Sequence, residues 1–108
     1  MYTVIRAYTI IPRTKEELIQ DVQTRLVPLL NHVPGFQSYS LLDVGDNEVV
    51  VISTFNTLAD AKASARLTGE WVADHAEICI QGYAKLTAGV ERVHSESTDT
   101  DLRSDINS

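Results

Sequence analysis

Trp71 and His75 stand four residues apart, so a helix through Glu70–Ala76 would carry both on one face. An indole can wall a flat ligand, and an imidazole, which titrates near neutral pH, can serve as a general base. Each has a plainer alternative: Trp71, the single tryptophan, as an anchor in the core or at a subunit seam, and His75 as a solvated or capping residue near a helix end. Asp74 and Glu77 flank His75, but one histidine and two acids so close together do not make a metal-ligand spacing. His32 and His94 add none, so no metal is expected. Arg6 lies in an otherwise largely apolar run, where a guanidinium needs a carboxylate or an anionic ligand. It could clamp a substrate carboxylate or enolate, or pair across a dimer with Asp43 or Glu48. Tyr8, Tyr39 and Tyr83 could each present a hydroxyl to a cavity, or sit as half-buried strand aromatics. Cys79, between Ile78 and Ile80, has no electropositive setting and is expected to be an inert packed thiol.

The elements that must position these groups follow from the pattern. Residues 2 to 11 are β-branched and aromatic and form a first strand, apolar on both faces. Pro12 ends it, and Thr14 with Glu17 matches a capping box. The helix that follows places Leu18, Val22, Leu26, Leu29, Leu30 and Val33 on one face. Pro28 interrupts it, by a kink near Thr24 to Val27 or by a break that opens a short second helix. Phe36 to Val44 alternates as a strand, with Phe36, Ser38, Ser40, Leu42 and Val44 on one face and Gln37, Tyr39, Leu41 and Asp43 on the other. Gly45-Asp46-Asn47 supplies turn residues that tolerate positive φ, and Glu48 to Phe55 returns as a central strand apolar on both faces. Asn56 or Thr57 caps a second helix with Leu58, Ala61, Ala65 and Val72 toward the core. Its alanines suggest a close approach to the sheet, and Gly69 is expected to interrupt it. Ile78 to Val90 is the last strand, with a bulge or close approach at Gly82. Residues 95–108 are polar, acidic and aperiodic, so the expected organisation is one domain over 1–94 and a tail.

The order β-α-β-β-α-β predicts an α+β, ferredoxin-like fold: a four-stranded antiparallel sheet, order 4-1-3-2, with both helices on one face. The opposite face is apolar too and needs a cover. The simplest is the same sheet of a second copy, giving a homodimeric α/β barrel. The chain of 108 residues carries a net charge of −6, and its last fourteen residues hold four acids and one base. With no basic stripe, nucleic acid is not expected as a partner, and no stretch approaches the length of a membrane span. No signal peptide is seen at the N-terminus, and a single cysteine suits a reducing cytoplasm.

Pro34-Gly35-Phe36, then Tyr39, Leu41-Leu42, the Gly-Asp turn, Val49 to Phe55 and the capped, alanine-rich helix resemble the antibiotic biosynthesis monooxygenase (ABM) domain family. Tyr2 to Arg6, Val27-Pro28-Leu29-Leu30 and Glu70-Trp71-Val72 resemble its small stand-alone bacterial members. The likeness spans roughly residues 2 to 92, one domain. It implies a homodimeric barrel with a cavity between each protomer's helices and sheet. Some members are cofactor-independent oxygenases of aromatic polyketides, and others degrade haem. The haem-degrading pattern pairs an Asn on the first strand with a Trp and a His more widely spaced than Trp71 and His75. This first strand has no Asn, so haem degradation is disfavoured. The polyketide oxygenases surround substrate with Asn, Trp, Tyr and Arg, types that Asn56, Trp71, Tyr39 or Tyr83, and Arg6 or Arg66 supply.

The resulting expectation is a cofactor-independent monooxygenase: a small aromatic substrate loses a proton and its carbanion meets dioxygen directly. His75 would be the base, Arg6 the anion stabiliser, and Trp71, Tyr8, Tyr39, Tyr83 and Asn56 the substrate contacts. The alternatives are a ligand-binding module without catalysis and a structural dimer with a filled interior. A pocket of a few hundred cubic ångströms, reached by Trp71 and by Arg6, His75 or a tyrosine, would separate the first two from the third.

Overall fold

The computed structural model describes residues 1–76 and 79–97, apart from the side chain of Tyr83. β1 (Tyr2–Ile10) leads to α1 (Lys15–Asp21), a π-turn over Val22–Leu26 and α2 (Val27–Leu30). β2 (Phe36–Gly45) and β3 (Glu48–Phe55) form a hairpin. α3 (Leu58–Trp71) runs into a second π-turn, Val72–Ala76, before β4 (Ile80–Val90). The sheet is antiparallel in the order β2-β3-β1-β4, as the sequence predicts. Ile78 lies outside the described residues, as does the tail from residue 98.

Alternation sorts the central strands cleanly. Val49, Val51, Ser53 and Phe55 of β3 are buried on the helix side, with Val4 and Ile10 of β1 beside them. Leu18, Val22, Leu26 and Leu30 from the first helical region and Trp71 and Ala76 from the second complete the core. Ile10, Val49 and Cys79 pack in that cluster as well, and the Cys79 thiol is free. On the far side of the sheet Val50 and Ile52 are half-buried, while Ile5, Leu42 and Val44 are exposed.

Three expectations of local structure change. Thr14 stands at the N-cap of α1 but makes no capping bond: its hydroxyl donates to the Ile11 carbonyl at 2.7 Å, which occupies the group that the capping box requires. Thr57 does cap α3, its Oγ1 accepting the Asp60 N–H at 3.1 Å. Gly69 does not interrupt α3, which runs unbroken to Trp71 because helical φ and ψ are open to glycine at a modest cost. Around Gln37 the β2–β3 register shifts, so Phe36 pairs with Phe55 but Ser38 with Thr54. That extra residue moves Phe36 to the helix side, its ring 5.9 Å from that of Phe55 and away from the face that Ser38 shares.

The sequence left a choice at Pro28, and the fold resolves it. Val27 N–H bonds to the Val22 carbonyl, a wider turn than the α-helix makes, and Pro28 then sits in the first turn of α2 where its missing N–H costs nothing. The predicted turn holds: Gly45, Asp46 and Asn47 all have positive φ. Gly35, at φ +78, meets two demands, since a Cβ there would overlap the Asp60 carboxylate. Lys15 closes the hairpin onto α1 through a 2.7 Å bond to Asp43. That bond, with the Gly45 N–H, holds the Asp43 carboxyl below its ordinary range.

Candidate ligand groove and the Trp71 chamber

The helix side of the sheet is packed unequally. Beside Trp71, aliphatic side chains from both helical regions close to a void of only about 20 Å³, walled by Leu18, Leu26, Val49, Tyr8, Tyr39 and Thr68 among others. Farther along α3 the facing residues are small. Ala65, Thr68 and Gly69 stand over Gly82 and Ala84 with a lobe of about 210 Å³ between them. Ala61, Lys62 and Ala65 stand over Leu86 and Ala88 with a second lobe of about 200 Å³. A Cβ added at Gly69 or Gly82 would meet nothing within 4 Å. The alanines of α3 therefore leave room along β4, and a close helix–sheet contact does not form there. Gly82, at φ +72, accompanies the predicted irregularity, for the β1–β4 register shifts between Ala7 and Thr9.

Arg6 lines both lobes and so stands at the waist of the groove. Period-two alternation carries it there: β1 places Tyr2, Val4, Arg6, Tyr8 and Ile10 on the helix side, with Arg6 opposite Val51 and Leu86. Among the described residues it has no carboxylate partner. Asp43, one of the expected partners, is engaged by Lys15, and Glu48 belongs to the opposite face of the sheet.

Tyr8 joins chamber to groove, lining both, as do Thr68, Val72 and Ile80. Burial raises the Tyr8 phenol above its ordinary pKa, with Arg6 pulling weakly the other way. Burial also raises Tyr39, reinforced by Tyr8 and opposed by Arg6. A phenol is already neutral near pH 7, and burial adds to that margin for both. Burial likewise raises the Cys79 thiol, against the reactivity a thiolate would need.

Trp71 is 4% exposed, and its Nε1–H is buried with no hydrogen-bond partner among the described residues. An orphaned donor of that kind costs on the order of 1–3 kcal/mol. His75 is close to it, ring centroids 5.8 Å apart at 42°, but His75 is exposed and lines neither the chamber nor the groove. The two rings are neighbours, as the four-residue spacing predicts, but the indole is buried in the core and the imidazole is exposed. Asn56 is also exposed. It accepts a 2.7 Å bond from Gln37 and borders a hollow that shares Tyr2 and Leu58 with the second lobe. Tyr83 belongs to β4, and its side chain lies outside the described ones. The fold thus gathers Arg6, Tyr8, Tyr39 and Trp71, places Asn56 beyond the far end, and leaves His75 apart. Missed from the sequence were Thr68, Gly69, Ala84 and Ala88. The repeat of small residues Ala61, Ala65 and Gly69 at four-residue spacing was the signal that could have found the groove. Among the described residues no cluster of three His, Cys, Asp or Glu side chains could hold a metal.

The model of the antibiotic biosynthesis monooxygenase family matches residues 1–69. The chain belongs to that family. A search of curated proteins found no match. Among solved structures, the chain is similar to a protein of unknown function from Nitrosomonas europaea, at 15% identity and TM-score 0.74, covering 91% of this chain and 95% of that one. It is as similar to the ActVA-Orf6 monooxygenase of Streptomyces coelicolor, solved with nanaomycin D, at 14% identity and TM-score 0.74 over 90% and 92% of the two chains. A MhuD mutant with two manganese protoporphyrin IX molecules per active site matches at 17% identity and TM-score 0.73, over 90% and 100%. At these identities the likeness establishes the fold. It supports the ferredoxin-like α+β architecture, and no helix among the described residues is long and apolar enough to cross a membrane.

Proposed function

We propose that this ABM-family chain is a cofactor-independent monooxygenase whose small aromatic substrate lies in the groove between α3 and the β1–β4 floor. The supporting observation is Arg6, a cation without a carboxylate partner among the described residues, at the waist of two otherwise mostly apolar lobes. A flat substrate with an acidic C–H next to a carbonyl or phenol would place its anionic oxygen there. The guanidinium favours the ionised form, and the apolar walls keep water from quenching it. The neutral Tyr8 phenol can donate to the same oxygen. The substrate carbanion then adds to dioxygen to give a peroxide. Loss of the remaining C–H proton with O–O cleavage leaves a ketone and water: R₂CH₂ + O₂ → R₂C=O + H₂O. His75, expected from the sequence as the base, stands outside the groove, so in this reading the substrate proton, made acidic enough by Arg6, passes to solvent water at the open side of the groove. The exposed position of His75 also gives no support to haem ligation.

Oxygen uptake with a panel of hydroxylated anthrones and quinols, on chelator-treated protein, tests this. Stoichiometric consumption of one O₂ per ketone is expected, with Arg6→Gln lowering kcat/KM at least tenfold. Tight binding of the same compounds without uptake would replace the oxygenase by a ligand-binding module.

The partner is a second copy of the chain. Among the described residues no helix covers the sheet face of Ile5, Val50, Ile52, Leu42 and Val44, and a contiguous exposed apolar face is the kind of surface that pairs with a partner. Pairing of two such faces gives the barrel. Sedimentation of the chain as a dimer, and of Ile52→Lys as a monomer, is the expected result; a stable monomeric wild type would end this proposal. A cytoplasmic location fits the single free thiol.

A further inference from the structure

A second cation, Lys62, joins Arg6 in lining the second lobe of the groove. We propose that Lys62 sets the substrate class: its ammonium holds a carboxylate of the organic substrate in that lobe, while Arg6 takes the ionising oxygen at the waist. This rests on the oxygenase reading and narrows its substrate to aromatic acids.

Three observations carry it. The first is charge. The chain has 15 acids against 9 bases, yet among the described residues the two lobes are lined by Arg6 and Lys62 and by no Asp or Glu. The second is that nothing neutralises Lys62: it belongs to no ion pair among the described residues. Its neighbours three and four residues away along α3 are Leu58, Ala59, Ala65 and Arg66, none of them acidic. Asp60, the nearest acid in sequence, packs against Gly35 just before β2. The third is placement. Arg6 comes from the β1 floor and Lys62 from the α3 roof, so one lobe of about 200 Å³ has a cation on each wall. The rest of that lining is Tyr2 and small or aliphatic side chains. The first lobe adds only neutral polar groups to Arg6, those of Tyr8 and Thr68. A ligand with a single anionic oxygen satisfies Arg6 alone, whereas a flat ring with a carboxylate at its opposite edge satisfies both cations. The carboxylate also fixes the binding direction, since the first lobe holds no second cation to receive it. Lys62 is exposed, so its ammonium stays hydrated while the lobe is empty. A ring lying in the lobe excludes water from between carboxylate and ammonium, and their attraction strengthens as the local dielectric falls.

Calorimetric titration of the full chain tests this with two matched probes: a hydroxynaphthoate whose hydroxyl and carboxylate sit on opposite rings, and its neutral carboxamide. Wild type should bind the acid about fivefold more tightly than the amide at low ionic strength, and the margin should shrink as salt is added. Lys62→Met should bring the two affinities within about twofold of each other, and Lys62→Arg should keep the preference. Lys62 is exposed, so neither change disturbs the core. Lys85→Met removes the same charge from β4, where Lys85 pairs with Ala7 on the face away from the helices, and should leave the preference unchanged. Equal binding of the two probes by wild type, a preference that survives Lys62→Met, or failure of both probes to bind would overturn the proposal. The titration needs no oxygen, so it is read apart from turnover. A preference for the acid without oxygen uptake upholds the role of Lys62 and ends the oxygenase reading; uptake without the preference does the reverse.

Discussion

The two ends of one helix–sheet layer differ tenfold in the space they leave, about 20 Å³ beside Trp71 and about 200 Å³ in each lobe around Arg6. The same helix, α3, roofs both. What differs is side-chain volume. Leu18, Leu26, Val49 and Trp71 interdigitate at one end, as close-packed interiors do. At the other end Ala61, Ala65 and Gly69 face Gly82, Ala84 and Ala88 across a spacing the closed end has already set. The closed end thus acts as the spacer that holds the groove open. It also explains the unequal covering of the sheet: the first helical region packs toward β3 and Trp71, and Leu86 and Val90 on β4 stay exposed.

If the closed end is the spacer, its loss should dominate. Trp71→Ala should cost about 3–5 kcal/mol in denaturant unfolding and merge chamber with groove. A loss under about 1 kcal/mol would mean the indole is not a structural wedge. Ala65→Leu tests the open end from the opposite side. It should weaken binding of aromatic ligands at least tenfold by calorimetry while changing stability by less than about 1 kcal/mol, because it grows into empty space.

Tyr39 gives the closed end a pH signature. Its folded pKa is raised, so the neutral phenol is the form the fold favours. That contribution is whole below the unfolded value near 10 and is lost as pH rises above it. Stability should then fall by up to about 1.4 kcal/mol per pH unit, a slope that Tyr39→Phe should flatten in alkaline unfolding curves. The smallest effect concerns the roof itself: Thr57→Ala removes the one capping bond to Asp60 and should lower stability by about 1 kcal/mol in the same assay.

Much of the fold was legible because it rests on period. The two-residue alternation of Val49, Val51 and Phe55 and the helical recurrence of Leu18, Val22, Leu26 and Leu30 name their own faces. Glu48–Phe55 came out with the predicted bounds, as did the turn at Gly45. What failed was set by a single extra residue or a competing bond. The irregularity at Gln37 reversed the side of Phe36, and the Ile11 carbonyl took the Thr14 hydroxyl. At the site, strand parity put Arg6 and Tyr8 on one face of β1, but both faces read as apolar and only the fold turned that face toward the helices. His75 keeps its place near Trp71 but is exposed, because burial depends on what packs over the Val72–Ala76 turn and not on its spacing.

The sequence by itself determined the order of elements, the sheet, the family and the grouping of Arg6 with Val4, Tyr8 and Ile10 on one face of β1, because these depend on local period and near-neighbour pairing. Only the tertiary structure decided that Ala65 faces a groove rather than a contact, that the Trp71 N–H is orphaned, and that one layer is closed at one end and open at the other. Those depend on the volumes of residues far apart in the chain, summed across a spacing that no single segment sets.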